Sequence, residues 1–299
     1  MFRRFFLIPL VLSIALSPGI SPAFEPAKRG ELYQALLGID FSGRQRMLSQ
    51  RIAGLSCLVY MGIDAETHAQ EALEAGATYS RTLEYLLVGH AETGLAAQSD
   101  TRVLQALVEA RDAFGPLSDL LTVFEGSSTI STQRLEAISA RSSEVFEASK
   151  NLTNQIQASS TKALEELPLI NAMIINISGR QRMLAEKAFK AFCLSQAGIN
   201  VEHNLERLDN TVTIFHNTMD ALVNGMPGVI LPPPNRIIKA KLEEARAVWL
   251  PVKAILERAL AGERLGYEEI HFTTEELETI RMLMNEAVKL YEESGDSRN

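Results

Sequence analysis

Apolar residues recur at helical spacing along most of the chain, in two series of four stretches separated by turn residues. Positions three or four residues apart share one face of an α-helix, so each stretch predicts an amphipathic helix. No segment of useful length alternates apolar and polar residues as a strand does. The first series predicts helices at about Glu31 to Met61, Ala65 to Val88, Thr101 to Phe124, and from an N-cap within Ser127 to Thr129 to about Ala158.

The second series repeats the first. The letters SGRQRML occur at Ser42 to Leu48 and again at Ser178 to Leu184, 136 positions later, and Cys193 follows Cys57 by the same offset. The offset shifts slightly in the third and fourth helices of the second copy. We infer that the chain is an internal duplication.

This pattern predicts an all-α protein made of two tandem antiparallel four-helix bundles linked by helix. We place the first bundle at residues 24–160 and the second at residues 161–299, with Pro168 marking the junction. The chain has 299 residues, of which 46% are hydrophobic, and this is enough to bury the core of two domains.

Residues 1–23 have the pattern of a cleaved signal peptide. Arg3 and Arg4 precede an apolar run, and small residues around Ala23 suit signal peptidase. The general secretory route and the twin-arginine route both stay open. Since nothing in the remaining chain approaches the roughly 18 consecutive apolar residues of a membrane span, we expect a soluble periplasmic protein. A net charge of −8 argues against a nucleic-acid partner.

The repeated motif places arginines inside an otherwise apolar helix, where burying them is costly. Ser42 and Gln45 have the spacing of a capping box, which predicts that the first helix of each copy kinks or restarts there, with Gly43 or Gly179 at the irregular point. A restarted helix offers unpaired N–H groups and the positive end of its dipole. Arginine adds a planar fork of donors, so these groups together predict a site for a small oxyanion.

The stretches DFSGRQRMLSQRIA and INISGRQRMLAEKAF resemble the P-box of PilJ/NarX-type sensor domains. Those domains occur in type IV pilus chemotaxis transducers and in nitrate/nitrite sensor kinases. The resemblance implies a periplasmic four-helix bundle that dimerises, in which one P-box arginine from each subunit of the nitrate sensors grips a shared anion. By motif position these arginines are Arg46 and Arg182, so one chain with two copies would imitate the dimer.

The predicted ligand contacts are therefore the arginines and glycines of both motifs, namely Arg46, Arg182, Gly43, Gly179, Arg44 and Arg180. The competing interpretation is that the arginines are solvated surface charges or pair with glutamates of neighbouring helices. Just after the motif, Glu186 and Lys187 replace the Gln50 and Arg51 of the first copy. Glu186 lies one helical turn from Arg182 and is expected to neutralise it, which would weaken the second copy as an anion site.

Cys57 and Cys193 are equivalent positions of the duplication. Cys57 follows Arg46 by eleven residues, and Cys193 follows Arg182 by the same number. On a regular helix, residues eleven positions apart lie within about 20° of the same face, so each cysteine is expected on the face of its arginine. A disulfide forms if the two first helices meet in an oxidising compartment. Two buried free cysteines, each packed as a small hydrophobe, are the alternative.

Other chemistry has little support in the sequence. The five histidines occupy unrelated positions of the two copies, and the single E-x-x-H, Glu268 to His271, falls in a predicted loop. Haem-attachment, nucleophile-elbow and phosphate-loop motifs do not occur. We therefore expect no metal, no cofactor and no enzymatic activity.

Two functions fit these features. The first is a periplasmic sensor that binds a small anion, nitrate or nitrite by resemblance, and relays the signal to a membrane-bound receptor or sensor kinase. The second is a non-catalytic periplasmic adaptor or scaffold bundle with no small-molecule ligand.

Overall fold

Eight α-helices, together with a short 3-10 turn at Thr122–Glu125, form the regular structure of the computed structural model, which describes residues 30–161 and 169–296. These described ranges contain no strand, so the all-α prediction is confirmed. The predicted signal peptide and Pro168 lie outside the described residues. The helices are α1 (Glu31–Met61), α2 (Ala65–Val88), α3 (Thr101–Leu121), α4 (Thr132–Ser159), α5 (Leu169–Gln196), α6 (Val201–Asn224), α7 (Arg236–Leu260) and α8 (Tyr267–Asp296).

The helices pack as two four-helix bundles that stand side by side. In the first, α1 packs against α2 and α4, and α3 closes the bundle against the same two helices. In the second, α5 packs against α6 and α8, and α7 closes it in the same way. The bundles meet where α1 packs along α5, so equivalent residues of the two copies face each other. Within the described helices, none is long and apolar enough to cross a membrane.

The duplication is visible in the backbone. Asp64 and Asn200, at equivalent N-cap positions of α2 and α6, are the non-glycine residues with positive φ in the described ranges, at 39° and 41°. One cap differs from the prediction, because α4 begins after Ser131, whose hydroxyl accepts a hydrogen bond from the Arg134 N–H. The helix therefore starts a few residues later than the serine and threonine run suggested.

The two bundle cores contain equivalent pairs of packed aromatic rings. Tyr79 of α2 stacks on Phe114 of α3 with ring centroids 4.2 Å apart. Phe215 and Trp249 occupy the equivalent places in the second bundle, with centroids 4.3 Å apart. All four side chains are buried. Trp249 thus takes the place that Phe114 has in the first copy, as the repeat predicts.

The packing of α1 against α5 depends on Gly54. A Cβ atom at this position would collide with the ring of Phe189, which is itself buried. Close approach of the two helices therefore requires a residue without a side chain here.

We expect Gly54→Ala to lower the free energy of unfolding by about 1–3 kcal/mol, because the Phe189 ring must leave its packed position. Gly115 of α3 has open space around its Cβ position and is the control. Gly115→Ala should change the free energy of unfolding by less than about 0.5 kcal/mol, because the gain in helix propensity is opposed by the steric restriction on a residue that precedes proline, here Pro116. Urea denaturation of both variants measures the two changes, and equal effects at both sites would contradict the close contact.

Lys190 is a buried basic side chain that joins the two bundles at another point. Its ammonium donates to the Ser142 hydroxyl at 2.6 Å and to the Ser139 carbonyl at 3.1 Å, so α5 is tied to α4. Burial, with the nearby charges of Arg207 and Lys187, lowers the pKa of Lys190 to about 7. Its equivalent in the first copy is Gly54, so the two halves of the interface are not identical.

Candidate functional site

The two SGRQRML motifs lie inside α1 and α5, and neither helix restarts there. The predicted restart and capping box are therefore wrong. The Ser42 hydroxyl donates to the Ile39 carbonyl within α1, and the Gln45 side-chain amide donates to the Tyr79 carbonyl of α2. The backbone N–H groups of the motif belong to the helical ladder and are not available to a ligand. Any anion site must rest on side chains.

A small cavity separates the two motifs. It has a volume of about 20 Å³ and is lined by Ile39, Asp40, Gly43, Arg46, Gly179, Arg182 and Val288. One water needs roughly 10–15 Å³ by this measure, so the cavity suits a species of the size of one or two waters. An anion of three or four heavy atoms is close to this range, whereas a larger organic acid is far above it.

The two glycines leave room for the two guanidinium groups. A Cβ atom on Gly43 would lie 3.5 Å from Arg46 Nη2, and one on Gly179 would lie 3.3 Å from Arg182 Nη2. Each arginine thus folds back over the glycine of its own motif. The glycines are needed here because a side chain would crowd the guanidinium groups. They do not support an irregular backbone, because both lie within continuous helices.

Arg182 is buried, and each of its two terminal nitrogens binds a side chain of the protein. Its Nη2 lies 2.6 Å from Asp40 Oδ1 of the first copy, and its Nη1 donates to Asn285 Oδ1 of α8 at 2.7 Å. The expected neutralisation by Glu186 is wrong, since Glu186 faces another cluster. The partner is a carboxylate from the opposite bundle.

Arg46 has no such partner. Its Nε is buried without a hydrogen bond, and no carboxylate of the described residues lies within ion-pair distance. Burial, reinforced by the charges of Arg180 and Arg182, lowers the pKa of Arg46 to about 10. The side chain is still protonated at neutral pH, so an unpaired positive charge points into the cavity.

Arg44 and Arg180 lie at the edge of this arrangement. Arg44 is 40% exposed and binds the second oxygen of Asp40 at 2.8 Å. Arg180 is exposed. An open cavity of about 430 Å³ adjoins the small one on the side of α2 and α8. Arg44 and Arg182 line this larger cavity, and both form ion pairs with Asp40. This is the side from which solvent reaches Arg182.

A family profile matches a segment of each bundle. The profile is PilJ, described as the type IV pili methyl-accepting chemotaxis transducer N-term, and it matches residues 38–146 and 171–265. These segments are more than half of the chain. The chain belongs to the PilJ family. A search of curated proteins found no match. A search of solved structures also found none.

A second charged cluster joins the bundles of this PilJ-family chain, and sequence analysis missed it. Arg51 of α1 donates to Glu186 of α5 at 3.1 Å and also binds Glu278 of α8, which pairs with Arg281. Arg281 lies 3.3 Å from the same Glu186 oxygen. The replacement of Gln50 by Glu186 between the copies was the available signal, but it was assigned to the wrong arginine.

The interface of the two PilJ-type bundles also contains a disulfide. Cys57 of α1 is bonded to Cys193 of α5, with the Cα atoms 6.1 Å apart, and both residues are fully buried. The bond lies three helical turns beyond the arginines on the same helices. It therefore holds the two motif-bearing helices at a fixed distance on one side of the cavity.

The remaining sequence candidate lies elsewhere. Glu268 and His271 are in the first turn of α8 and not in a loop, so that prediction is wrong. The His271 ring lies 3.0 Å from Asp64 of the first bundle. Within the described ranges, no group of three or more histidine, cysteine or acidic side chains is arranged to hold a metal ion.

Proposed function

We propose that this PilJ-family chain is a periplasmic sensor that binds a small inorganic anion, nitrate or nitrite, between α1 and α5. Arg46 and Arg182 are the proposed contacts, with Gly43 and Gly179 providing the space. Arg44 and Arg180 add positive potential at the edge of the site. The observation that carries the proposal is the half-buried guanidinium of Arg46, whose buried Nε has no hydrogen-bond partner, in a cavity shared with a second guanidinium.

The charge balance favours an anion. Two guanidinium groups and one carboxylate line the small cavity, so the site has one positive charge in excess. An unpaired buried donor costs about 1–3 kcal/mol, and a bound anion removes this cost. A planar oxyanion matches the fork of N–H donors on each arginine. Nitrate and nitrite are favoured by the resemblance of both motifs to the P-box.

We further propose that residues 1–23 are a signal peptide and that residues 24–160 and 161–299 are the two repeat units. A periplasmic location agrees with the Cys57–Cys193 disulfide, because such bonds persist in oxidising compartments. The sensor role needs no enzymatic activity. PilJ domains are parts of chemotaxis transducers, and we propose that the partner here is a membrane-bound receptor or sensor kinase.

Signalling would follow from movement of α1 relative to α5. An anion between Arg46 and Arg182 draws the two helices together at the motif, whereas the disulfide already fixes their distance near Cys57 and Cys193. Binding therefore changes the angle of the helices at their other ends, a change that a partner can recognise.

Thermal unfolding of the purified protein tests the proposal. Nitrate or nitrite at about a hundred times its dissociation constant should add roughly 2.7 kcal/mol to the free energy of unfolding and raise the midpoint by several degrees. At the same ionic strength, sulfate should shift it less. Arg46→Met should abolish the shift. Without anion it should stabilise the protein by about 1–3 kcal/mol, because it removes an unpaired buried donor.

Arg236→Met is the matched control, since Arg236 is exposed on α7 and loses the same charge. It should leave the anion response unchanged. If no anion shifts the midpoint of the wild-type protein, the sensor proposal fails and the scaffold function is favoured.

A further inference from the structure

Asp40 holds a central position in the site, and neither the motif nor the family description assigns it a role. Its side chain is 8% exposed and lies between two arginines. Oδ1 accepts a hydrogen bond from Arg182 of the opposite bundle at 2.6 Å, and Oδ2 accepts one from Arg44 of its own helix at 3.0 Å. Burial opposes its ionisation, but the charges of Arg182 and Arg44 prevail and hold the pKa of Asp40 below its ordinary value. The carboxylate is therefore charged at neutral pH.

The two halves of the site differ in this respect. The residue equivalent to Asp40 in the second copy is Asn176, which has no charge. Arg182 therefore meets a carboxylate from the first copy, whereas Arg46 has no carboxylate partner among the described residues. One arginine of the pair is neutralised by the protein itself and the other is not.

We propose that Asp40 is a built-in competitor of the ligand: its carboxylate occupies on Arg182 the position that a bound oxyanion needs. This inference rests on the proposed function, because it names what sets the affinity of that same site. A carboxylate and an oxyanion carry the same charge and use the same donors of a guanidinium. Both cannot bind Arg182 in a cavity of about 20 Å³ without strong repulsion.

Ligand binding then becomes an exchange. The anion takes the Arg182 donors and bridges to Arg46, and Asp40 keeps its bond to Arg44, which is partly exposed at the cavity edge. The affinity for the ligand then depends on the difference between the binding free energies of the ligand and of the Asp40 carboxylate at Arg182. Asp40 thus raises the ligand concentration at which the site fills, and it keeps Arg182 in position when the site is empty.

Titration of nitrate against Asp40→Asn measures the competition. The amide keeps the size of the side chain and removes its charge, so the dissociation constant for nitrate should fall tenfold or more relative to wild type. Asp112→Asn is the charge-matched control, because Asp112 is exposed and pairs with exposed Arg111, and it should leave the constant within a factor of two. An unchanged or weaker affinity in Asp40→Asn, beside a wild-type protein that responds, would overturn the inference alone.

A double variant separates displacement from a general effect of charge. If Asp40 acts by occupying Arg182, the gain should vanish in Asp40→Asn/Arg182→Met measured against Arg182→Met. A gain that persists without Arg182 would overturn the inference as well. Absence of any response in both wild type and Asp40→Asn would reject the proposed function itself. Should Asp40→Asn not fold without ligand, Arg44→Gln and Arg180→Gln are compared, because both remove one positive charge at the edge of the site but only Arg44 binds Asp40. Nitrate should bind several-fold more weakly to Arg44→Gln than to Arg180→Gln, and equal binding by the two variants would refute the competition.

Discussion

Loss of the Cys57–Cys193 disulfide should lower the free energy of unfolding by about 4–5 kcal/mol. The bond closes a loop between residues 136 positions apart, and a cross-link over so long a loop removes much of the conformational entropy of the unfolded chain. The bond also links the two bundles, so without it the two halves of the unfolded chain move independently. Cys57→Ala/Cys193→Ala is the suitable variant, since alanine leaves no polar atom in this fully buried place.

Urea denaturation with and without dithiothreitol measures this effect. The wild-type midpoint should fall on reduction, and the double-alanine variant should unfold near the reduced wild type and be insensitive to the reductant. A wild-type midpoint that is the same in both conditions would show that the bond does not stabilise the protein.

The second large effect is expected at Arg51. Arg51→Met should lower the free energy of unfolding by about 3–5 kcal/mol, because it removes a partner of the buried carboxylate of Glu186 and leaves that charge poorly compensated. Glu186 is already close to Glu278, and Arg281 alone would have to neutralise both. The loss should appear as a lower midpoint in urea at pH 7.

The pH dependence gives this prediction a specific sign. Burial raises the pKa of Glu186 above 4.5, and Arg51 counters that rise. A pKa raised by folding means that the folded state binds the proton more tightly, so stability increases as the pH falls through the folded pKa toward 4.5. Without Arg51 the pKa rises further. Acidification from pH 7 to about 5 should therefore restore more stability to Arg51→Met than it adds to the wild type.

Glu186→Gln supplies the matched control, because glutamine is the residue that the first copy has at this position. Arg51→Met/Glu186→Gln should recover most of the loss and show no extra stabilisation by acid. A double variant as unstable as the single one would place the effect of Arg51 in its packing and not in the pairing with Glu186.

Apolar spacing and the internal repeat were enough to predict the helical fold and the equivalence of the two motifs. Apolar spacing predicted α1 and α2 at the bounds that the structure has, because long amphipathic helices are specified locally. The duplication predicted that equivalent residues meet once the first helices pack together. It marked the two cysteines as equivalent positions, and the resemblance to the P-box marked Arg46 and Arg182, but it left open whether the two first helices meet.

The pairing of charges across the interface could not be predicted without the packing of the helices. The sequence assigned Glu186 to Arg182, its neighbour one turn away on the same helix. The structure instead pairs Glu186 with Arg51 and pairs Arg182 with Asp40, each across the two bundles. Helical spacing identifies neighbours within one helix. A buried ion pair between helices depends on which helices pack together and on their relative position along the helix axes. That is why the unpaired state of Arg46, on which the proposed function depends, required the packed structure.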